Sequence, residues 1–275
     1  MKTYMLASAA IVAGLAGSAS AELSFGIDAA VGTWANHSTD TGLQGHRDRK
    51  TGKLGLSVAN DFGGFVGQVD LNWQALTMVD GDEDATKSIF DLTLRGMRDF
   101  GGVQGGVFLG KGEHQDYGDS DEYMSYQFIG FDAEKDMSFG TVYGQLGYLD
   151  SRDEYGEGTQ RAAFLRVGGD YEIGNGLTVT GAFSMAKGRK WDSDQYGVDI
   201  LGIELGVEKA IGDNGLSLYG SYEHTKIDVD YSDGYGDEFG TLWVGLKMNL
   251  GGDAKQGSKL PNLGQWVAYN ANEVE

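Results

Sequence analysis

From Glu22 to Leu250 the apolar and polar side chains alternate with a period of two, not with the three- and four-residue spacing of a helix. Leu54, Leu56 and Val58 share one face of their segment. Between Phe65 and Trp73, Gln68, Asp70 and Asn72 alternate with Val69, Leu71 and Trp73. Asp91, Thr93 and Arg95 alternate with Phe90, Leu92 and Leu94, and Thr178, Thr180 and Ser184 oppose Leu177, Val179, Phe183 and Met185. Leu242, Val244, Leu246, Met248 and Leu250 make a last apolar stripe. Successive side chains of a strand point to opposite faces, so each segment has one apolar face and one polar or small face. The pattern predicts twelve strands, over 23–35, 51–61, 65–79, 88–99, 103–115, 123–135, 140–153, 160–173, 177–191, 198–211, 216–231 and 237–250.

The connections fall into two alternating kinds. Asp61-Phe62-Gly63-Gly64, Asp99-Phe100-Gly101-Gly102, Asp136 to Gly140, Gly174-Asn175-Gly176 and Gly212 to Gly215 are short and rich in Gly, Asp and Asn, as tight hairpin turns require. Between them stand longer, acidic stretches at 36–50, 80–87, 115–122, 150–160, 192–196 and 230–237. Short turns at one end and long loops at the other are the signature of an antiparallel transmembrane β-barrel, with the short turns on the periplasmic side. A soluble β-sandwich would have strands of about five or six residues, and a solenoid would repeat a sequence signature rather than a rhythm.

Composition fits this reading. The 275 residues include 46 Gly, 1 Pro and no Cys, which suits long strands and excludes a disulfide framework or thiolate metal site. The formal net charge of -20 argues against nucleic acid as a partner. Lys2, the apolar run from Tyr4 to Leu15 and the Ala19-Ser20-Ala21 site read as a secretory signal peptide, residues 1–21, in front of a barrel over 22–250. The remaining 251–275 is read as a periplasmic C-terminal tail. It holds the lone Pro261 together with Leu260, Leu263, Trp266, Val267 and Tyr269. Folding into the barrel mouth and binding a partner are the alternatives for it.

The chain resembles the porin-like β-barrels of Gram-negative outer membranes over residues 22–250. The segment from Trp243 to Leu250 looks like the terminal β-signal of such barrels, with apolar residues three and five positions after Gly245, although Leu250 stands where an aromatic is usual and a tail follows. The resemblance implies residence in the outer membrane, contact with its lipids and lipopolysaccharide, and insertion by the barrel assembly machinery. Oligomerisation is left open between a monomer and a homo-oligomer.

The polar strand faces supply a candidate lumen lining: Asp28, Lys53, Asp70, Asp91, Arg95, Arg166, Asp170, Glu204, Glu208 and Lys247, with Gln127 and Gln145 among the neutral residues. Rings of such charges set ion selectivity. The excess of acid predicts a channel for small hydrophilic solutes or ions with weak cation preference; the competing outcome is that the charges pair across a narrow lumen and fill it. A non-transporting structural or adhesive barrel is the alternative function. An enzyme that cleaves lipid or peptide would need a nucleophile and base side by side, and His224 near Ser221 or Glu223 is the one compact grouping. No cofactor and no metal are expected. Trp34, Phe62, Phe100, Tyr123, Phe139, Tyr171, Trp191 and Tyr219 fall near strand ends, where aromatic girdles form.

Overall fold

The computed structural model describes residues 23–38, 49–80, 83–115, 123–151, 159–190, 196–230, 235–251 and 257–268. The signal segment 1–21 and most of the acidic loop residues lie outside them. The strands are β1 (Leu23–Ser38), β2 (Arg49–Asp61), β3 (Phe65–Asp80), β4 (Glu83–Asp99), β5 (Gln104–Gln115), β6 (Tyr123–Met137), β7 (Gly140–Ser151), β8 (Thr159–Gly174), β9 (Leu177–Lys190), β10 (Gly197–Ala210), β11 (Leu216–Val229) and β12 (Tyr235–Gly251). A short helix, α1 (Leu263–Ala268), follows. Each strand pairs antiparallel with its sequence neighbours, and β1 pairs with β12 from Ser24↔Gly251 to Ser38↔Asp237, which closes a twelve-stranded barrel without an edge.

Every predicted strand is present, with ends moved by a few residues. The largest difference is at 80–87. The acidic composition there reads as a loop, yet β3 and β4 stay paired out to Asp80↔Glu83. Ladder bonds join backbone to backbone and do not depend on side-chain polarity.

At the opposite end the two Asp-Phe-Gly-Gly turns are built alike. Asp61 accepts hydrogen bonds from the amides of Gly63 and Gly64 at 2.8 and 2.9 Å, and Asp99 accepts one from Gly102 at 2.7 Å. Gly63, Gly64, Gly101 and Gly102 all have φ between 81° and 94°, where a Cβ would be strained. We call this the turn end and the other the loop end.

The outward face carries the apolar stripes. Val31, Leu54, Trp73, Ile129, Phe131, Leu146, Leu205, Leu242 and Val244 are all exposed there. An apolar belt of this extent is stable only against lipid. Phe62, Phe100, Phe139 and Tyr171 lie exposed at the turn end, as girdle residues would. Trp34 and Tyr219 do not belong to the girdle. Both point inward, and Trp34 is 1% exposed. Tyr123 is in β6 without a described side chain, and Trp191 lies outside the described residues.

The inward face accounts for part of the glycine excess. Aromatic rings there lie across glycines directly opposite on the next strand: Phe108 over Gly130, Phe128 over Gly110, Tyr126 over Gly112, Phe164 over Gly147, Tyr143 over Gly168, Tyr219 over Gly245 and Trp243 over Gly32. A Cβ on any of these glycines would collide with the ring. Each pair lays a ring flat on the wall and leaves space along the barrel axis.

Candidate functional site

That space holds the chain's own C-terminal segment. The tail leaves β12 at the turn end and runs up the lumen, so over 257–268 it is not the periplasmic extension expected from sequence. Its Gly/Lys-rich start suggests a free linker, but the residues that follow find partners on the inner wall. The Gly257 amide donates to Gln68 at 2.8 Å, and the Ser258 amide and hydroxyl both donate to Glu134, at 3.2 and 3.0 Å. Gln145 donates to the Ser258 carbonyl at 3.0 Å. Lys259 pairs with Asp28, and Asn262 donates to Gln74 at 2.7 Å. Helix α1 then buries Leu263, Trp266 and Val267 against β4, β5 and β8.

The two halves of the lumen differ in chemistry. In the turn half and at the waist the wall is charged. Arg95, 3% exposed, donates to Asp70 at 3.1 Å and to Asp132 at 2.8 Å. Register makes this possible: Arg95 faces Gln68 on β3, and Gly106 on β5 stands beside Asp132 without a side chain in the way. Asp70 also accepts from Ser57 and Gln68. Arg166 donates to Ser184, its partner in register on β9, and to Glu204 on β10 at 2.6 Å. Lys53 reaches Glu223 at 3.2 Å and lies over the Trp243 ring at 4.2 Å. Glu208 accepts from Lys247 and Ser217. Asp91 accepts from Asn72, and Asp170 accepts from the Thr141 amide.

In the loop half the buried apolar residues Trp34, Tyr126, Leu149, Phe164, Val198, Ile200, Ile227, Val229 and Phe239 form one cluster with α1, beside the buried polar His114, Ser151 and Thr159. Trp34 meets Phe239 edge-on at 5.9 Å, and Trp266 meets Phe164 edge-on at 6.1 Å. Period-two alternation marks these positions as inward but says nothing of a change in polarity along the barrel axis.

All ten charged residues proposed as lumen lining border the internal cavities. Nine line a space of about 600 Å³ that also touches the tail. Glu208 lines a smaller neighbouring space of about 170 Å³, together with Asp28 and Lys247. Sequence reasoning placed Glu223 on the lumen face and missed Asp132, Glu134 and Lys259. Asp132 and Glu134 alternate with the outward Phe131 and Ala133 and were legible; Lys259 was not, because it lies outside any strand. Gln127 is on the outer face and exposed. His224 does not meet Ser221 or Glu223. It faces outward, stacked on Tyr222 and 3.1 Å from Glu238, while its two sequence neighbours face the lumen.

No protein-family model matches the chain, and no curated protein matches it. Solved structures do. The COG4313 outer membrane channel from Pseudomonas putida F1 is similar with a TM-score of 0.58 at 8% identity, over 85% of this chain and 97% of that one. The β domain of the Bordetella autotransporter BrkA gives 0.48 at 13% identity, over 82% and 100%, and the KdgM porin gives 0.46 at 8%, over 80% and 98%. With its closed antiparallel ladder and its outward apolar belt, the chain is similar to the COG4313 channel in architecture, and its fold is that of a porin-like outer-membrane β-barrel.

Proposed function

We propose that this barrel is a plugged channel for small solutes, with residues 257–268 as its plug and with weak cation preference where the wall is charged. The observation that carries the reading is the tail itself. It is clasped by side chains of β1, β3, β6 and β7 and ends in a helix whose apolar face completes the packing of the loop half. A path for hydrophilic solutes through both halves exists only when the segment moves. In the turn half and at the waist, Asp28, Asp70, Asp91, Asp132, Glu134, Asp170, Glu204, Glu208 and Glu223 outnumber Lys53, Arg95, Arg166, Lys247 and Lys259 around the cavities and the contacts that border them. That excess favours cations.

Each buried apolar side chain of α1 contributes about 1.5–3 kcal/mol. Ordering each tail residue costs about 1–2 kcal/mol. The apolar seat and the polar clasps act together against that cost.

Single-channel recording in planar bilayers tests this. A chain truncated after Gly251, which keeps β12 whole, is expected to conduct steadily, whereas the full chain opens briefly. The chain has no Cys, so Gln74→Cys with Asn262→Cys forms a unique pair that a short thiol cross-linker can bridge. Bridging is expected to abolish openings and reduction to restore them. Conductance indifferent to both manipulations would sink the plug, and an anion-selective reversal potential in a salt gradient would sink the cation preference.

A further inference from the structure

The wall beneath α1 is aromatic. Phe108, Tyr126, Phe128 and Phe164 each lie across a glycine of a neighbouring strand, and all four are buried. Onto this surface α1 sets the indole of Trp266, at 76° to the Phe164 ring. The approach is so close that a Cβ on Gly264 would collide with Ile89 and with the Tyr126 hydroxyl. That hydroxyl therefore reaches α1, on a side chain only 1% exposed, and it finds no hydrogen-bond partner among the described residues. A buried hydroxyl left without a partner costs about 1–3 kcal/mol.

The tail thus fills the apolar part of the seat and leaves the Tyr126 hydroxyl unsatisfied. A flat ring carrying an oxygen would do both: stack on the wall and pair with Tyr126. The present occupant is also replaceable. A six-residue helix is far below the length that is stable alone in water.

We propose that the aromatic wall under α1 is a binding site for a small aromatic molecule bearing one oxygen, a phenol-class solute, which displaces α1 and so unplugs the lumen. The unplugging rests on the channel reading above; the binding site does not. Rings are held by Phe108, Phe128 and Phe164, and the oxygen is held by the Tyr126 hydroxyl.

The test uses the full chain with Ser258→Cys as its sole thiol and follows the rate of labelling by a water-soluble maleimide. The additives are 4-methylphenol, toluene, which has the same ring and methyl group without the oxygen, and glucose. Both ring compounds are expected to accelerate labelling and glucose is not. A hydrogen bond of about 0.5–1.5 kcal/mol makes 4-methylphenol effective at concentrations about 2–12-fold lower than toluene. Tyr126→Phe is expected to erase that difference and keep the toluene response. No acceleration by either ring compound overturns the site, as does a 4-methylphenol response no better than that of toluene. Equal acceleration of a thiol on the exposed turn, Asp213→Cys, also overturns it, since that would be a bulk solvent effect. If the bridged pair closes the channel while the ring compounds leave labelling unchanged, the plug stands and the site falls. If truncation leaves conductance unchanged while 4-methylphenol still outperforms toluene, the site stands and the gating falls.

Discussion

The turn half and the loop half of the lumen are walled by the same twelve strands, yet they are held by different forces. The turn half and waist are held by directional pairs. Arg95 between Asp70 and Asp132 is a specified geometry in which every member needs the others. The loop half is held by area, through rings laid on glycines and three apolar side chains of α1. The tail spans both, clasped by polar groups below and seated on apolar ones above. A polar network fails when one member is lost, because the rest are left buried and unpaired. An apolar seat accepts a substitute of similar shape. The lesson is a division of labour: the charged half fixes where the tail runs, and the aromatic half decides what can take its place.

The sharpest way to break this comparison is Arg95→Ala. It takes the guanidinium from Asp132 and leaves Asp70 with only the neutral donors Ser57 and Gln68, so urea unfolding in detergent is expected to show a loss of about 3–5 kcal/mol. An unchanged midpoint would mean that water, not Arg95, satisfies the pair. Next comes Trp266→Ala, expected to remove about 3 kcal/mol from the seating of the tail. Labelling at Ser258→Cys should then accelerate by on the order of a hundredfold while the unfolding midpoint of the barrel holds. If Arg95→Ala releases the tail as fully as Trp266→Ala does, the two halves are not separable. Gly264→Val forces a Cβ into Ile89 and Tyr126 and is expected to cost the seat about 1–3 kcal/mol, read by the same labelling. The smallest effect belongs to Lys53→Ala. Its pair with Glu223 is partly exposed and its contact with Trp243 is a cation–π one, so a stability change of about 0.5–1 kcal/mol is expected, together with a more cation-selective reversal potential.

Much of the architecture is legible in the chain. Period-two alternation places Leu54, Leu56, Leu242 and Val244 on the outside and Asp70, Arg95, Glu204 and Lys247 on the inside. The two Asp-Phe-Gly-Gly segments mark turns because their glycines need positive φ and their aspartates can accept the turn amides. Errors arose where composition was read in place of pairing. Acidic residues at 80–87 read as loop although the ladder continues, and Trp34 read as a girdle residue although its parity points it inward.

The sequence by itself determined the number of strands, their faces and the turns between them, because each of these depends on residues within a few positions of one another. Tertiary structure alone decided what the inward face meets. Lys259 finds Asp28 across 231 positions, Ser258 finds Glu134 across 124, and each ring finds its glycine only through the register of closed neighbouring strands. Alternation specifies the direction in which a side chain points. It carries no information about how far across the barrel its partner lies, nor that residues 257–268 return to fill the space the strands enclose.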